Sequence, residues 1–177
     1  MSHFNAAVSN LLALEGGSSN HSADKGGTTN YGISLRFLKM LPRADGDITG
    51  DGHVDRNDIE HLKPSNAVHF YRKFFWAAYK IDRIKSEEVA IKSLDIFVNM
   101  RGATAALVHQ RAANDLGADI EVDGILGSKS FKAINELDEN QYLTCLRYQA
   151  WRVYQSIMKE DPTQEVFRRG WQSRAFS

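Results

Sequence analysis

Apolar residues recur at helical spacing along most of this chain, and that repeat constrains its fold more than any other feature. Phe4, Ala7, Val8, Leu11 and Leu12 stand at i, i+3, i+4, i+7 and i+8, one face of an amphipathic helix that Gly16 or Gly17 should end. Ala67, Phe70, Tyr71, Phe74, Phe75 and Ala78 repeat the pattern after Pro64, with Ser65 or Asn66 as the cap. Further helices are expected from near Ser86 to Asn99 and from about Thr104 to Leu116. Another should start at a Ser128 cap and carry Phe131, Ile134 and Leu137. From Asn140 a long helix places Leu143, Leu146, Ala150, Val153, Tyr154 and Ile157 on one side until Asp161 and Pro162 stop it. Only the segment TTNYGISL, residues 28–35, has strand character. The expected fold is mainly α, with a small β-hairpin after the first helix.

The remaining sequence narrows the class. At 177 residues the chain suffices for one domain with a core, and 22 Lys and Arg balance 22 Asp and Glu. No overall field favours nucleic acid or an anionic membrane. No apolar run reaches the roughly 18 residues that cross a bilayer, and no basic-then-apolar leader opens the chain. Membrane insertion is not expected, and neither is an internal disulfide, because Cys145 is the single cysteine. The histidines lack the HExxH spacing of a catalytic zinc site.

Chemistry concentrates in LLALEGGSSNHSADKGGTTNYGIS, residues 11–34. Glu15 follows Leu11 by four and Val8 by seven, so helical geometry carries its carboxyl onto the buried stripe. Desolvation and the negative end of the helix dipole both favour its protonated form. A general acid needs that state near neutral pH. Asp24 lies nine residues on, in a polar loop where Gly26 and Gly27 permit tight turns, and Thr28, Thr29 and Asn30 offer hydrogen-bonding groups of small size. Two carboxyls in contrasting settings are the pair that glycoside hydrolysis requires. Read from spacing alone, Glu15 could equally be a solvated carboxylate at a helix end, and Asp24 a turn residue.

The motif EGG followed by DKGGTTNYGIS resembles the signature of the lysozyme-like muramidases grouped as glycoside hydrolase family 108. YRKFFW, residues 71–76, is similar to that family's aromatic helix; DGILGSKSF and FRRGWQSR are similar to its C-terminal, peptidoglycan-binding segment. The resemblance implies a single lysozyme-like domain over residues 1–177. In it, 1–90 form a catalytic lobe and 91–177 a helical lobe with the wall-binding segment. It further implies Glu15 as catalytic acid, Asp24 and Thr29 in the same cleft, and Asn30, Tyr31 and Asn99 as substrate-binding residues. Asn30, not Thr29, stands two places before Gly32, so the residue that orients the water stays open. The expected substrate is bacterial peptidoglycan, cut at the β-1,4 bond between N-acetylmuramic acid and N-acetylglucosamine by a monomer without a catalytic cofactor. A lytic transglycosylase acting on the same bond and a non-catalytic wall-binding module are the alternatives. Synthesis in the cytoplasm and action in the periplasm or wall after release complete the expectation.

One further motif stands apart. DITGDGHVDRND, Asp47 to Asp58, fits a twelve-residue calcium loop, with Asp47, Thr49, Asp51, the His53 carbonyl, Asp55 and Asp58 at ligand positions and Gly52 at the turn. Thr49 in place of an acid and Asp58 in place of the longer Glu weaken the pattern. A structural calcium ion is expected there, with the His53 imidazole exposed. The alternative is a solvated turn of Asp and Gly.

Overall fold

A computed structural model describes residues 3–15 and 29–177, without the side chains of residues 14 and 15. Helix α1, His3–Glu15, follows the first apolar repeat, with Phe4, Ala7, Val8 and Leu11 buried. Strands β1, Thr29–Asn30, and β2, Ile33–Ser34, pair antiparallel with Thr29 opposite Ser34 and Asn30 opposite Ile33. Among the described residues this hairpin is the whole sheet, and the fold is mainly α.

Three short helices follow: α2, Leu35–Met40, α3, Arg43–Gly46, and α4, Arg56–His61. They are too brief to announce themselves by period, and side-chain caps open the first and third of them. Ser34 Oγ accepts the Phe37 N–H at 3.1 Å, and Asp55 caps α4 by accepting the Asn57 N–H at 2.8 Å. Helix α5, Pro64–Phe70, begins with its proline at the first helical position, where a missing N–H costs nothing. The cap residue is Lys63, not Ser65 or Asn66; Asn66 stands at the third helical position, its Oδ1 accepting the Lys63 N–H at 2.9 Å.

The aromatic run departs from the expected period. Residues Tyr71–Ala77 form a π-helical segment, whose wider turn puts i and i+5 on one face. Tyr71 and Trp76, five apart, are therefore buried, while Ala78, which an α-helical period would bury, is exposed.

A 3₁₀ turn, Ile81–Arg83, leads to α6, Glu87–Asn99, capped by Ser86 Oγ on the Val89 N–H. Helix α7, Gly102–Asn114, is followed by a turn at Asp123 and Gly124, and then by α8, Ser128–Glu136. Gly127, not Ser128, occupies the cap of α8, and the Ser128 hydroxyl instead lies 3.5 Å from the Arg83 guanidinium. The long α9, Glu139–Glu160, starts at an Asp138 cap and stops at Asp161 as the proline requires. A second 3₁₀ turn, Pro162–Phe167, and α10, Arg168–Phe176, complete the chain.

Two compact units result. One comprises Val8–Phe74, with Leu11, Ile33, Leu38, Ile59, Phe70 and Tyr71 in its core. The other gathers Met1–Ala7 with Phe75–Ser177 around Phe97, Phe131, Tyr142 and Leu146. In this second unit α10 is held by side chains at both ends: Trp171 stacks on Tyr154 of α9 with centroids 5.1 Å apart, and Arg174 meets Asp95 of α6 at 3.6 Å. Among the described residues no helix is long and apolar enough to cross a membrane.

Candidate active site

Helix α1 ends at Glu15, four residues beyond Leu11, which is 1% exposed. The Glu15 side chain, Asp24 and Thr28 lie outside the described residues. The next described residue, Thr29, opens the hairpin and is half-buried opposite Ser34.

The hairpin's turn is Tyr31 and Gly32, both at positive φ, 50° and 74°, as a two-residue type I′ turn demands. Glycine takes that conformation freely; tyrosine does so at a cost of about 1–2 kcal/mol. The Tyr31 carbonyl is held by the hydroxyl of fully buried Tyr71, which donates to it at 2.8 Å. Asn30 directs its amide away from solvent, donating from Nδ2 to the carbonyls of Ile59 at 3.1 Å and Leu62 at 3.4 Å, at the C-terminal end of α4. The Ile59 carbonyl also takes the Leu62 N–H, at 3.4 Å. Thus the side chain of Asn30 ties the hairpin to α4, and Tyr31 offers its carbonyl to Tyr71.

Asn99, at the end of α6, is similarly engaged. Its Nδ2 donates to the Asp95 carbonyl at 2.9 Å and to Asp95 Oδ1 at 3.1 Å, and its Oδ1 accepts from Arg174. Lys92, buried beside it, donates to Asp95 Oδ2 at 3.2 Å and to the Arg174 carbonyl. Burial lowers the Lys92 pKa against the opposing pull of Asp95. The exposed amide of Asn99 thus adjoins the buried Lys92–Asp95 pair, and Arg174 of α10 meets both Asn99 and Asp95.

The Asp47 to Asp58 loop is organised around one anion. Asp58 is 1% exposed; its Oδ1 accepts from the Ile48 N–H at 2.7 Å, the Thr49 N–H at 3.0 Å and Thr49 Oγ1 at 3.3 Å, and its Oδ2 from the Asp55 N–H at 2.8 Å. Burial pushes this carboxyl's pKa up, but the amide bonds outweigh it and hold the group below the usual carboxylate range. Asp47 accepts the N–H groups of Gly50 and Gly52 at 2.7 and 2.8 Å, and Asp51 that of His53 at 2.8 Å. The residues Asp51, His53 and Asp55 are exposed. Among the described residues no group of three or more His, Cys, Asp or Glu is placed to hold a metal ion.

Periodicity could not have disclosed Tyr71 as a hydrogen-bond donor to the hairpin, since tyrosine counts there as apolar core. Gln110 escaped notice for a different reason: its role depends on a turn 13 to 15 residues away. Its Nε2 donates to Asp123 Oδ1 at 2.7 Å and to the Ile125 carbonyl at 3.0 Å, while its Oε1 accepts the Gly124 N–H at 2.8 Å.

A mainly α chain with one early hairpin between a helix-terminal acid and a helical remainder is a lysozyme-like fold. The sequence profile of glycosyl hydrolase 108 matches residues 8–100, and the chain belongs to that family. Residues 104–176 match the profile described as a predicted peptidoglycan domain. Together these make the chain a glycoside hydrolase that acts on peptidoglycan. Among solved structures it is similar to Brucella abortus SagA, with a TM-score of 0.74 at 23% identity, over 97% of this chain and 88% of that one. That likeness concerns the fold. No curated protein matches the chain.

Proposed function

We propose that the chain hydrolyses the β-1,4 bond between N-acetylmuramic acid and N-acetylglucosamine, with Glu15 as general acid. One observation carries this reading: α1 ends at an acid one turn beyond buried Leu11, and the hairpin follows, all inside the family match at 8–100. A carboxyl at the C-terminal turn of a helix, next to an apolar stripe, is biased toward its protonated form. Glu15 then gives its proton to the glycosidic oxygen as the bond to the anomeric carbon breaks. Asp24, or a water held by Asp24 or Thr29, meets the positive charge that develops there. In this reading residues 1–90 carry the chemistry and 91–177 the wall contacts. Asn30, Tyr31 and Asn99 are the substrate-binding residues of this reading, which the family resemblance supports. No cofactor takes part in the reaction. Calcium enters only as a structural ion at Asp47, Thr49, Asp51, His53, Asp55 and Asp58, a proposal that the twelve-residue pattern supports. The protein acts as a monomer in the periplasm or wall after release from the cytoplasm.

The test is mass spectrometry of muropeptides released from purified walls by the wild type and by Glu15→Gln. Wild-type products should carry one added water and a reducing muramic end. The variant, at unchanged circular dichroism, should be slower by at least about 10²-fold, the lower bound for general acid catalysis. Wild-type rates from Glu15→Gln would falsify the assignment. Anhydro-muramic products would instead identify a transglycosylase, and wall sedimentation without reducing ends a binding module.

A further inference from the structure

Helices α7 and α9 pack against one another, and between them lies an open groove of about 420 Å³. Arg111 of α7 lines it together with Arg152, Val153, Ser156, Ile157 and Glu160 of α9. The α9 residues recur at three- and four-residue steps, so they form one face about 12 Å long. Every one of them lies within the segment matched at 104–176.

Three properties define what this groove can take. Among the described residues, neither Arg111 nor Arg152 has a hydrogen-bond or ion-pair partner, so both guanidiniums are available to a ligand. Arg111 sits in the last turn of α7, where a cation also complements the helix dipole, but that does not account for Arg152 in the middle of α9. Second, Val153 and Ile157 continue the apolar stripe of α9 to the surface, Val153 half-buried and Ile157 37% exposed. Third, the lining has no aromatic ring on which a sugar could stack, and it has one carboxylate, Glu160, which accepts the Ser156 hydroxyl at 3.3 Å. Two guanidiniums against one carboxylate, beside an exposed aliphatic strip, suit an extended peptide with free carboxylates and small side chains. They do not suit a neutral glycan.

We infer that this groove binds the stem peptide of peptidoglycan, with Arg111 and Arg152 pairing its carboxylates and Val153 and Ile157 against its alanyl methyl groups. The inference rests on the reading that peptidoglycan is the substrate. It assigns wall contact to the peptide and leaves the sugar to the glycosidic site.

Isothermal titration of the full chain with free stem tetrapeptide tests it, with peptide-free glycan strands as the second ligand. The wild type should bind the tetrapeptide, and more weakly as salt rises. Arg111→Ala and Arg152→Ala should each weaken binding about tenfold, as expected for loss of a charge-assisted hydrogen bond. Replacing both by Lys should restore part of the affinity. Both arginines are exposed, so melting temperatures should stay put, and Gln replaces Ala at any position where they do not. A wild type that ignores the tetrapeptide, a double variant that binds it as tightly as the wild type, or glycan strands that compete with it would each overturn the inference. The free peptide contains no glycosidic bond. A wild type that releases no reducing ends therefore defeats the catalytic reading without touching this result.

Discussion

Asp58 shows how a single side chain can organise twelve residues. Its carboxylate receives three N–H donors and one hydroxyl, from residues on both sides of the loop, at 1% exposure. Replacing it by Asn swaps one acceptor for a donor that faces other donors. We expect Asp58→Asn to cost about 2–3 kcal/mol, the range for a buried hydrogen bond to a charged group left unmade. The pH dependence has a definite sign. The folded pKa is depressed, so the contribution of Asp58 is complete above the unfolded value near 3.8 and is lost as pH falls through the lower folded value. Urea midpoints of wild type and variant, measured with chelator present, should therefore converge only in strong acid. Repeating the series with calcium tests the structural ion: a midpoint raised in the wild type alone supports it, and an unchanged one removes it.

At the scale of elements, the π-helical segment decides which aromatic residues are core. An α-helical repeat continued from Phe70 would bury Ala78; the wider turn buries Trp76, which meets Phe4 edge-on with centroids 5.4 Å apart. Trp76→Ala should cost about 3–5 kcal/mol as a core truncation. Ala78→Lys should stay within about 0.5 kcal/mol, as a surface change does. Chemical denaturation of the two variants decides between the periods, since a 3.6-residue repeat would make the lysine the damaging change. The hairpin relies on this same segment, because Tyr71 at its first position donates to the Tyr31 carbonyl.

For the molecule as a whole, the boundary between the two family matches is not a boundary in space. The buried pair Lys92 and Asp95, within the first match, meets Arg174, within the second, through its carbonyl and its guanidinium. Breaking such a pair leaves an uncompensated buried charge. The part matched as a predicted peptidoglycan domain is accordingly built into one compact unit with residues 75–100. His109 lies at the centre of that unit, 0% exposed, stacked on Phe97 and 2.7 Å from the Tyr142 hydroxyl through Nδ1. Burial lowers its pKa to about 3. The unfolded chain takes up that proton near pH 6.5 and the folded chain does not, so this residue's contribution to stability is complete above that value and falls with acid. Its share of the loss should approach about 1.4 kcal/mol per pH unit well below pH 6.5. The His109 ring resonances should stay constant down to about pH 4; titration near pH 6.5 would contradict the buried, neutral imidazole.

Chain order alone determined the long helices, because α1, α6, α7 and α9 each repeat an apolar face over three turns or more, and burial of that face is what stabilises them. The hairpin was equally legible, since Gly32 beside a short β-favouring run points to a tight turn. For Glu15 the sequence supplies only its spacing, four residues after Leu11 and seven after Val8. Polar partners were not legible in that way. Asn30 reaches carbonyls 29 and 32 residues away, Asn99 meets an arginine 75 residues away, and Asp58 accepts amides three to ten residues away. Periodicity reports which face of an element is apolar. Where a hydrogen-bonding side chain finds its partner depends on which elements the fold brings within about 3 Å, and only the tertiary structure decides that.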